Sequence, residues 1–353
     1  MDALLSGFVT AFLLTYLIIP VIIRVAKERR IYDQPNERSS HIEPTPSLGG
    51  IAIFAGTVCG IVLWTPLGSF GVLQYILAAF VLIFLIGIFD DLLHLSPGKK
   101  LLGQCLVALI LVYKAHILLT SLYGILGWHD LSHFTGFAFS LLIIVGIINA
   151  FNLIDGINGL AGSVGLLNCV AFGWWFHAVD TPALAVVAFS LAGAIVAFLR
   201  YNITPARIFM GDTGSLLLGT VCAMLAISFI ETNRQLPDAH RWKYQAAPAI
   251  AVALLILPVL DTTTVMIRRL LKGSSPFKPD KMHIHHRLLA LGMSHTQTTL
   301  LLLGVNVVYV ICALLCHRQG TLQVIFMEFG LAICCVLLLS FFLRWKAKKA
   351  AKG

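Results

Sequence analysis

VLQYILAAFVLIFLIGIFDDLLHL, Val72 to Leu95, contains eighteen residues from Val72 to Phe89 in which Gln74 is the only strongly polar side chain, followed by two adjacent aspartates. A buried strand ends after about 4–8 residues, whereas a helix needs about 20 to cross the hydrocarbon of a bilayer. The run therefore reads as a spanning helix, and Asp90 and Asp91 stand where it leaves the lipid. Adjacent carboxylates repel, which raises the proton affinity of one of them unless a cation neutralises the pair. LSPGKKLLGQ, close behind, supplies Lys99 and Lys100.

The rest of the chain resembles this stretch. Of its 353 residues, 58% are hydrophobic and 12% charged, and the mean hydropathy is +0.90. Soluble domains carry roughly 45–50% apolar residues, so the composition belongs to an integral membrane protein. Eleven apolar segments begin near Leu4, Leu48, Val72, Leu101, Phe134, Leu160, Pro182, Gly214, Ala247, Gln297 and Leu322. Lipid offers no partner to bare backbone, so spans are helices or closed barrels, and continuous rather than alternating apolar runs exclude the barrel. The expected fold is an all-α polytopic bundle of about eleven transmembrane helices forming a single membrane domain over residues 1–353. The first run lacks a preceding basic region and a small-residue cleavage site, and reads as a retained helix.

Short loops rich in Lys and Arg stay cytoplasmic. Five of these residues, Lys114, Arg234, Arg241, Lys243 and Arg318, lie in one set of alternate connections, and the other 20 of the 25 lie in the opposite set. With eleven spans this gives an outside N-terminus and a cytoplasmic C-terminus, and it turns Asp90 and Asp91 to the cytoplasm. The net charge of +9 forms no nucleic-acid-binding stripe; basic residues flank helices, and RWKAKKAAK near the C-terminus suits anionic membrane lipid. The eight cysteines include no CxxC pair and all fall in predicted spans, where they read as small buried hydrophobes rather than a disulfide framework or zinc site.

Acids concentrate at the cytoplasmic ends of the spans. Asp90, Asp91, Asp155 and Asp212 lie at span–loop junctions, and Asp261 lies inside a span near its cytoplasmic end. A carboxylate at mid-bilayer costs roughly 2.5–3.5 kcal/mol on insertion scales, so residues retained near there have partners. A solvated helix cap explains the first pair alone equally well; several helix ends presenting acids to one face suggest convergence on a cation. NAFNLIDGINGLAG, Asn149 to Gly162, sets Asn152, Asp155 and Asn158 among glycines that permit positive φ and close approach, and it supplies oxygens of the kind Mg2+ prefers. A plain Asn/Asp/Gly turn is the competing reading. RIFMGDTGSLLLG, Arg207 to Gly219, places Asp212 just before a helix whose free N–H groups suit phosphate. PFKPDKMHIHHRL, Pro276 to Leu288, gathers His283, His285 and His286 with Asp280, Lys281 and Arg287. Without cysteines or spaced acids this is less a zinc site than a cationic, hydrogen-bonding surface for an anionic ligand. The first long loop contributes Asp33, Arg38 and His41.

Taken in this order, D-x-P-x-x-R-x-x-H, the paired acids, N-x-x-D-G, F-M-G-D-x-G-S and P-D-x-x-H-I-H-H resemble the polyprenyl-phosphate N-acetylhexosamine-1-phosphate transferases over almost the whole length. The resemblance is nearest to the bacterial enzymes that use UDP-N-acetylglucosamine and undecaprenyl phosphate. It implies a multi-pass protein of the bacterial inner membrane with its active site facing the cytoplasm, acting in cell-envelope polysaccharide synthesis. It implies a Mg2+-dependent reaction, with Mn2+ a second candidate, in which the lipid phosphate attacks the β-phosphorus of the UDP-sugar and UMP leaves. Carried over by position, Asp90 and Asp91 are the catalytic acids, and Asn152 and Asp212 hold the metal. Lys100, Asp155, Asn158, His283, His285, His286 and Arg287 bind substrate. Two departures stand out: His94 occupies the place of a third acid in DDxxD, and Asn158 the place of the second aspartate in DGxDG.

The chemistry suits this assignment independently. Pyrophosphate cleavage is catalysed mainly by positioning and electrostatic stabilisation, and a phosphate monoester with a second pKa near 6 is already largely a dianion at neutral pH. Direct attack, with Asp90 or Asp91 orienting the lipid phosphate, is therefore expected rather than a covalent aspartyl-phosphate. Two alternatives stay open. One is the same reaction with UDP-MurNAc-pentapeptide or another UDP-N-acetylhexosamine; the other is a secondary transporter, which would place facing acids at the bilayer midplane. A homodimer stays open beside a monomer.

Overall fold

The structure is a computed structural model that describes residues 2–29, 31, 45–125, 127–271, 273 and 283–350, with side chains of the last helix described as far as Leu343. Asp33, Arg38, His41, Asp280 and Lys281 lie outside the described residues. The chain forms α1 (Asp2–Arg29), α2 (Gly49–Trp64), α3 (Phe70–Leu93), α4 (Pro97–Leu109), α5 (His133–Ile154), α6 (Leu160–Ala178), α7 (Pro182–Asn202), α8 (Gly211–Gln235), α9 (Ala247–Leu254), α10 (Ile256–Leu271), α11 (Ile284–Ala290), α12 (His295–Cys316) and α13 (Thr321–Ala350). It is an all-α polytopic membrane protein.

Each of the eleven apolar segments forms helix. Among the described residues, seven of the helices are long and apolar enough to cross a bilayer, and the bent pair α9–α10 brings the number to eight. The expected eleven spans would also require α2, α4 and α6, which have 16, 13 and 19 residues.

Three local features depart from the sequence reading. Between α4 and α5 the chain forms a small antiparallel hairpin, β1 (Ser121–Ile125) and β2 (Trp128–Asp130), where only a helix connection was expected. The segment starting at Ala247 is not one straight helix: α9 and α10 meet at a bend of 76°. Pro258, in the first turn of α10, has no N–H to return to the carbonyl of Leu254. Asn306 of α12 answers this by donating its side-chain amide to Ala253 O at 2.8 Å and Leu254 O at 3.4 Å, as backbone freed inside a membrane requires. Finally, of the eight cysteines only Cys169 and Cys222 are buried, while Cys59, Cys105 and Cys334 are exposed on the bundle exterior. The bundle's outside faces hydrocarbon, so a small apolar thiol gains little there from burial.

The core is organised around α8, almost all of whose apolar length is buried; it packs against α2, α3, α5, α6, α7 and α9. A helix apolar on every side belongs at such a centre. The start of α2 fits against the start of α8 with no room to spare. Gly49 N–H donates to Phe209 O at 2.9 Å and Gly50 N–H to Met210 O at 2.8 Å, and a Cβ on Gly50 would lie 2.1 Å from the backbone nitrogen of Gly214. Gly50→Val is therefore expected to force α2 and α8 apart, at a cost of about 1–3 kcal/mol or more. The check is thermal unfolding in detergent: a melting temperature several degrees below wild type is expected, and an unchanged one would contradict this packing.

Candidate active site

Four helix ends meet on one side of the bundle and bring distant polar residues within bonding distance. Lys100, in the first turn of α4, extends its ammonium between them: Nζ lies 2.9 Å from Asp90 Oδ2 at the end of α3, 2.7 Å from Asp212 Oδ2 at the start of α8, and 3.3 Å from Asn152 Oδ1 near the end of α5. Asn152 closes the group by donating its amide to Asp212 Oδ1 and, at 3.0 Å, to Ser215 Oγ. One helical turn beyond Lys100, Gln104 of α4 exchanges side-chain amide bonds with Asn149 of α5 at 2.6 and 3.3 Å. That pair fixes the register that sets Lys100 opposite Asn152.

The two adjacent aspartates serve different partners, because consecutive helical residues point about 100° apart. Asp90 faces Lys100 and also accepts the N–H of Leu95 at 2.7 Å, closing the turn between α3 and α4. Asp91 points into the bundle, where it caps α8 from a different helix. Its Oδ1 accepts Asp212 N–H at 2.7 Å, and its Oδ2 accepts Thr213 N–H at 2.9 Å and Thr213 Oγ1–H at 2.5 Å. Free N–H groups at a helix start are what a carboxylate satisfies best. Gly211 makes the approach feasible: it has φ +69°, and a Cβ there would lie 2.8 Å from Asp91 Oδ2. His94, in the place of a third acid, ends α3 in the left-handed conformation with φ 51°, and its ring lies 3.3 Å from the carbonyl of Asp90.

Asp155 follows the last residue of α5. Burial, and then the charges of Asp212 and Asp91, push its carboxyl well above the ordinary range, and among the described residues it takes no hydrogen bond. Gly156 next to it packs against the histidine cluster: a Cβ there would lie 2.5 Å from His285 Nε2. His283, His285 and His286 form one stack, with ring centroids 5.6 Å apart for the first two and 4.3 Å for the last two. Behind it, buried Asp261 of α10 lies 2.6 Å from His283 Nδ1.

Two of the expected substrate residues bond to parts of the bundle other than Lys100. Asn158 is buried; its side-chain N–H donates to Thr204 Oγ1 at 3.1 Å and its backbone carbonyl accepts Thr299 Oγ1–H at 2.9 Å, tying the α5–α6 loop to α12, while its side-chain oxygen takes no hydrogen bond among the described residues. Arg287 reaches Ser340 Oγ on α13 at 3.1 Å. Sequence reading also missed Asn202, which accepts Gly159 N–H at 2.7 Å and donates to Ile208 O at 2.9 Å, and so joins the two loops that carry Asp155 and Asp212. A lone asparagine at the end of an apolar span was the available signal, since such residues have partners.

His285 is set by burial, which pushes its imidazole down to about 3 from 6.5; His286, His283 and His295 act in the same direction and Asp261 against it. Between those two values the unfolded chain binds a proton that the folded one does not. Stability therefore falls as pH drops below 6.5, by up to about 1.4 kcal/mol per pH unit. His285→Gln is expected to flatten the decline of the melting temperature between pH 6.5 and 5; parallel slopes in both proteins would overturn this.

The donor set around Lys100 consists of oxygens only and already encloses a positive charge, which fits a hard divalent cation. No group of three His, Cys, Asp or Glu side chains forms a ready metal cage among the described residues. Mg2+ is held by one or two carboxylates together with substrate phosphates rather than by a dedicated protein cage.

These features define a polytopic membrane protein with an acidic, cation-holding site where four helix ends meet. Residues 73–230 match the model of glycosyl transferase family 4, and the chain belongs to that family. It is 32% identical over 344 residues, 94% of this chain and 90% of the relative, to the probable undecaprenyl-phosphate N-acetylglucosaminyl 1-phosphate transferase of Bacillus subtilis strain 168. It is 33% identical to the undecaprenyl-phosphate alpha-N-acetylglucosaminyl 1-phosphate transferase of Escherichia coli strain K12, over 84% of this chain and 79% of the relative. It is 34% identical to the decaprenyl-phosphate N-acetylglucosaminephosphotransferase of Mycolicibacterium smegmatis, over 76% of this chain and 71% of the relative.

Proposed function

We propose that the protein transfers N-acetylglucosamine-1-phosphate from UDP-N-acetylglucosamine to a polyprenyl phosphate, undecaprenyl phosphate in the first instance, with release of UMP. The observation that carries this reading is the Lys100 ammonium held among Asp90, Asp212 and Asn152 from three further helices, in a chain whose relatives bear the names of such transferases. The helix ends that form the site border the connections that carry most of the lysines and arginines of the sequence, which supports a site facing the cytoplasm, with the N-terminus outside and eleven passes of the bacterial inner membrane. There a soluble sugar nucleotide meets a lipid-borne acceptor.

Asp212 and Asn152 would hold Mg2+. The metal, when bound, supplies charge neutralisation to the diphosphate. Lys100 places a second positive charge beside the same oxygens and is positioned to follow the negative charge that gathers on the bridging oxygen as UMP departs. Asp90 holds Lys100 in place and orients the incoming lipid phosphate. Asp91 has three donors on its two oxygens and Asp90 has two, so neither is a bare nucleophile. This supports direct displacement at the β-phosphorus. Trapping a sugar-phosphorylated enzyme after incubation with UDP-sugar alone would refute it. Asp155, whose carboxyl burial pushes up, lies on the nucleotide side, and the histidine stack borders the sugar and phosphates.

The deciding assay combines purified protein, undecaprenyl phosphate, Mg2+ and a panel of UDP-sugars, with UMP and lipid-linked product measured. Product from UDP-N-acetylglucosamine is expected, and omission of divalent cation abolishes it. Product from UDP-MurNAc-pentapeptide alone would change the donor. Uptake of sugar nucleotide into proteoliposomes without lipid-linked product would replace the enzyme with a transporter, although acids gathered at helix ends argue against a midplane ion site.

A further inference from the structure

Asp261 is a buried acid that the proposed reaction leaves without a task. It is 3% exposed, on α10 just beyond the bend. Its Oδ2 lies 2.6 Å from His283 Nδ1 and its Oδ1 accepts the N–H of Ile284, the first residue of α11, also at 2.6 Å. One buried carboxylate thus starts the short helix that carries the histidines and grips the first of them. A carboxylate accepts only, so His283 must donate from Nδ1. That fixes the tautomer and leaves Nε2 as the only ring atom free to bond a ligand; among the described residues nothing takes it.

We infer that Asp261 is a positioning residue that holds His283 in the Nδ1-protonated tautomer, so that Nε2 meets the donor substrate as an acceptor for a sugar hydroxyl or the acetamido N–H. The inference rests on the proposed transferase reading. It also explains why the bend between α9 and α10 matters to chemistry: α10 carries Asp261 beneath α11, while the freed carbonyls behind it are held by Asn306.

Asp261→Asn retains the shape and an oxygen for Ile284 N–H but offers His283 an N–H, which reverses the tautomer. Asp261→Asn is expected to lower kcat for UMP release by roughly 10–100-fold, and to add less than about twofold in a His283→Ala background, because the two act as a unit. Equal losses in both backgrounds would mean a purely structural role and would overturn the inference, as would wild-type kcat in Asp261→Asn. Should the variant fail to fold, the wild-type chain in nanodiscs carries the test: 15N shifts of its histidine rings, with the His283 signals assigned by their loss in His283→Ala. Protonation at Nδ1 supports the inference and protonation at Nε2 overturns it. This arm does not depend on turnover, so it separates failure of the tautomer assignment from failure of the transferase reading.

Discussion

Asp212→Asn is expected to lower UMP release by about 1,000-fold or more while the protein still folds in detergent. The carboxylate takes the Lys100 ammonium on one oxygen and the Asn152 amide on the other. An amide in its place would turn an N–H toward one of two donors, and it would remove a negative charge from a site built to hold cations. Losses of 100–1,000-fold accompany removal of a single preorganised charge-stabilising group, and loss of a metal-holding charge adds to that. Stability changes little because the backbone N–H of residue 212 still reaches Asp91 and the side chain is partly exposed. Turnover and melting temperature measured on the same sample check it. Activity near wild type would mean that the reaction takes place elsewhere.

Lys100→Met is the second large effect, and it has two components. Turnover falls by about 100-fold or more through loss of the cation beside the phosphates. Stability also falls, because Asp90 and Asp212 are left facing each other without a counter-charge. Breaking a partly exposed pair on one side costs on the order of 1–3 kcal/mol, below the cost for a fully buried one, and the melting temperature drops accordingly. Lys100→Arg is expected to restore stability better than activity, because a planar guanidinium cannot reproduce an ammonium that bonds three oxygens from three helices. Full activity in Lys100→Met would remove the lysine from the mechanism. A stability equal to wild type would show that Asp90 and Asp212 do not depend on it.

Much of this arrangement was legible in the sequence. Length and apolarity marked the long helices, though not the short polar α11, since lipid tolerates little else, and the acids at helix ends stood out against them. Division of labour within the acid pair was not legible. DD reads as one feature, yet the helical turn between its members sends Asp90 to Lys100 and Asp91 to the start of α8, more than a hundred residues later. The Asp261–His283 pair was hidden for a similar reason. Each residue was conspicuous, but the bend between α9 and α10 places one beneath the other, and part of what stabilises that bend, Asn306, comes from α12. Asn158 shows a different case: its place in an oxygen-rich motif did not announce the contacts by which its amide N–H and backbone carbonyl join loops, while its side-chain oxygen takes no hydrogen bond among the described residues.

The cap on α8 also bears on how the molecule is made. A nascent chain that ends before residue 212 carries Asp91 without any of its three donors, at the membrane border where an unanswered charge is costly. Emergence of α8 resolves this, and its first turn can settle only if α3 is already seated. His283 and the segment around it follow some seventy residues later. Synthesis from the ribosome would therefore complete the reaction centre in a fixed sequence, with competence withheld until the bundle has nearly closed.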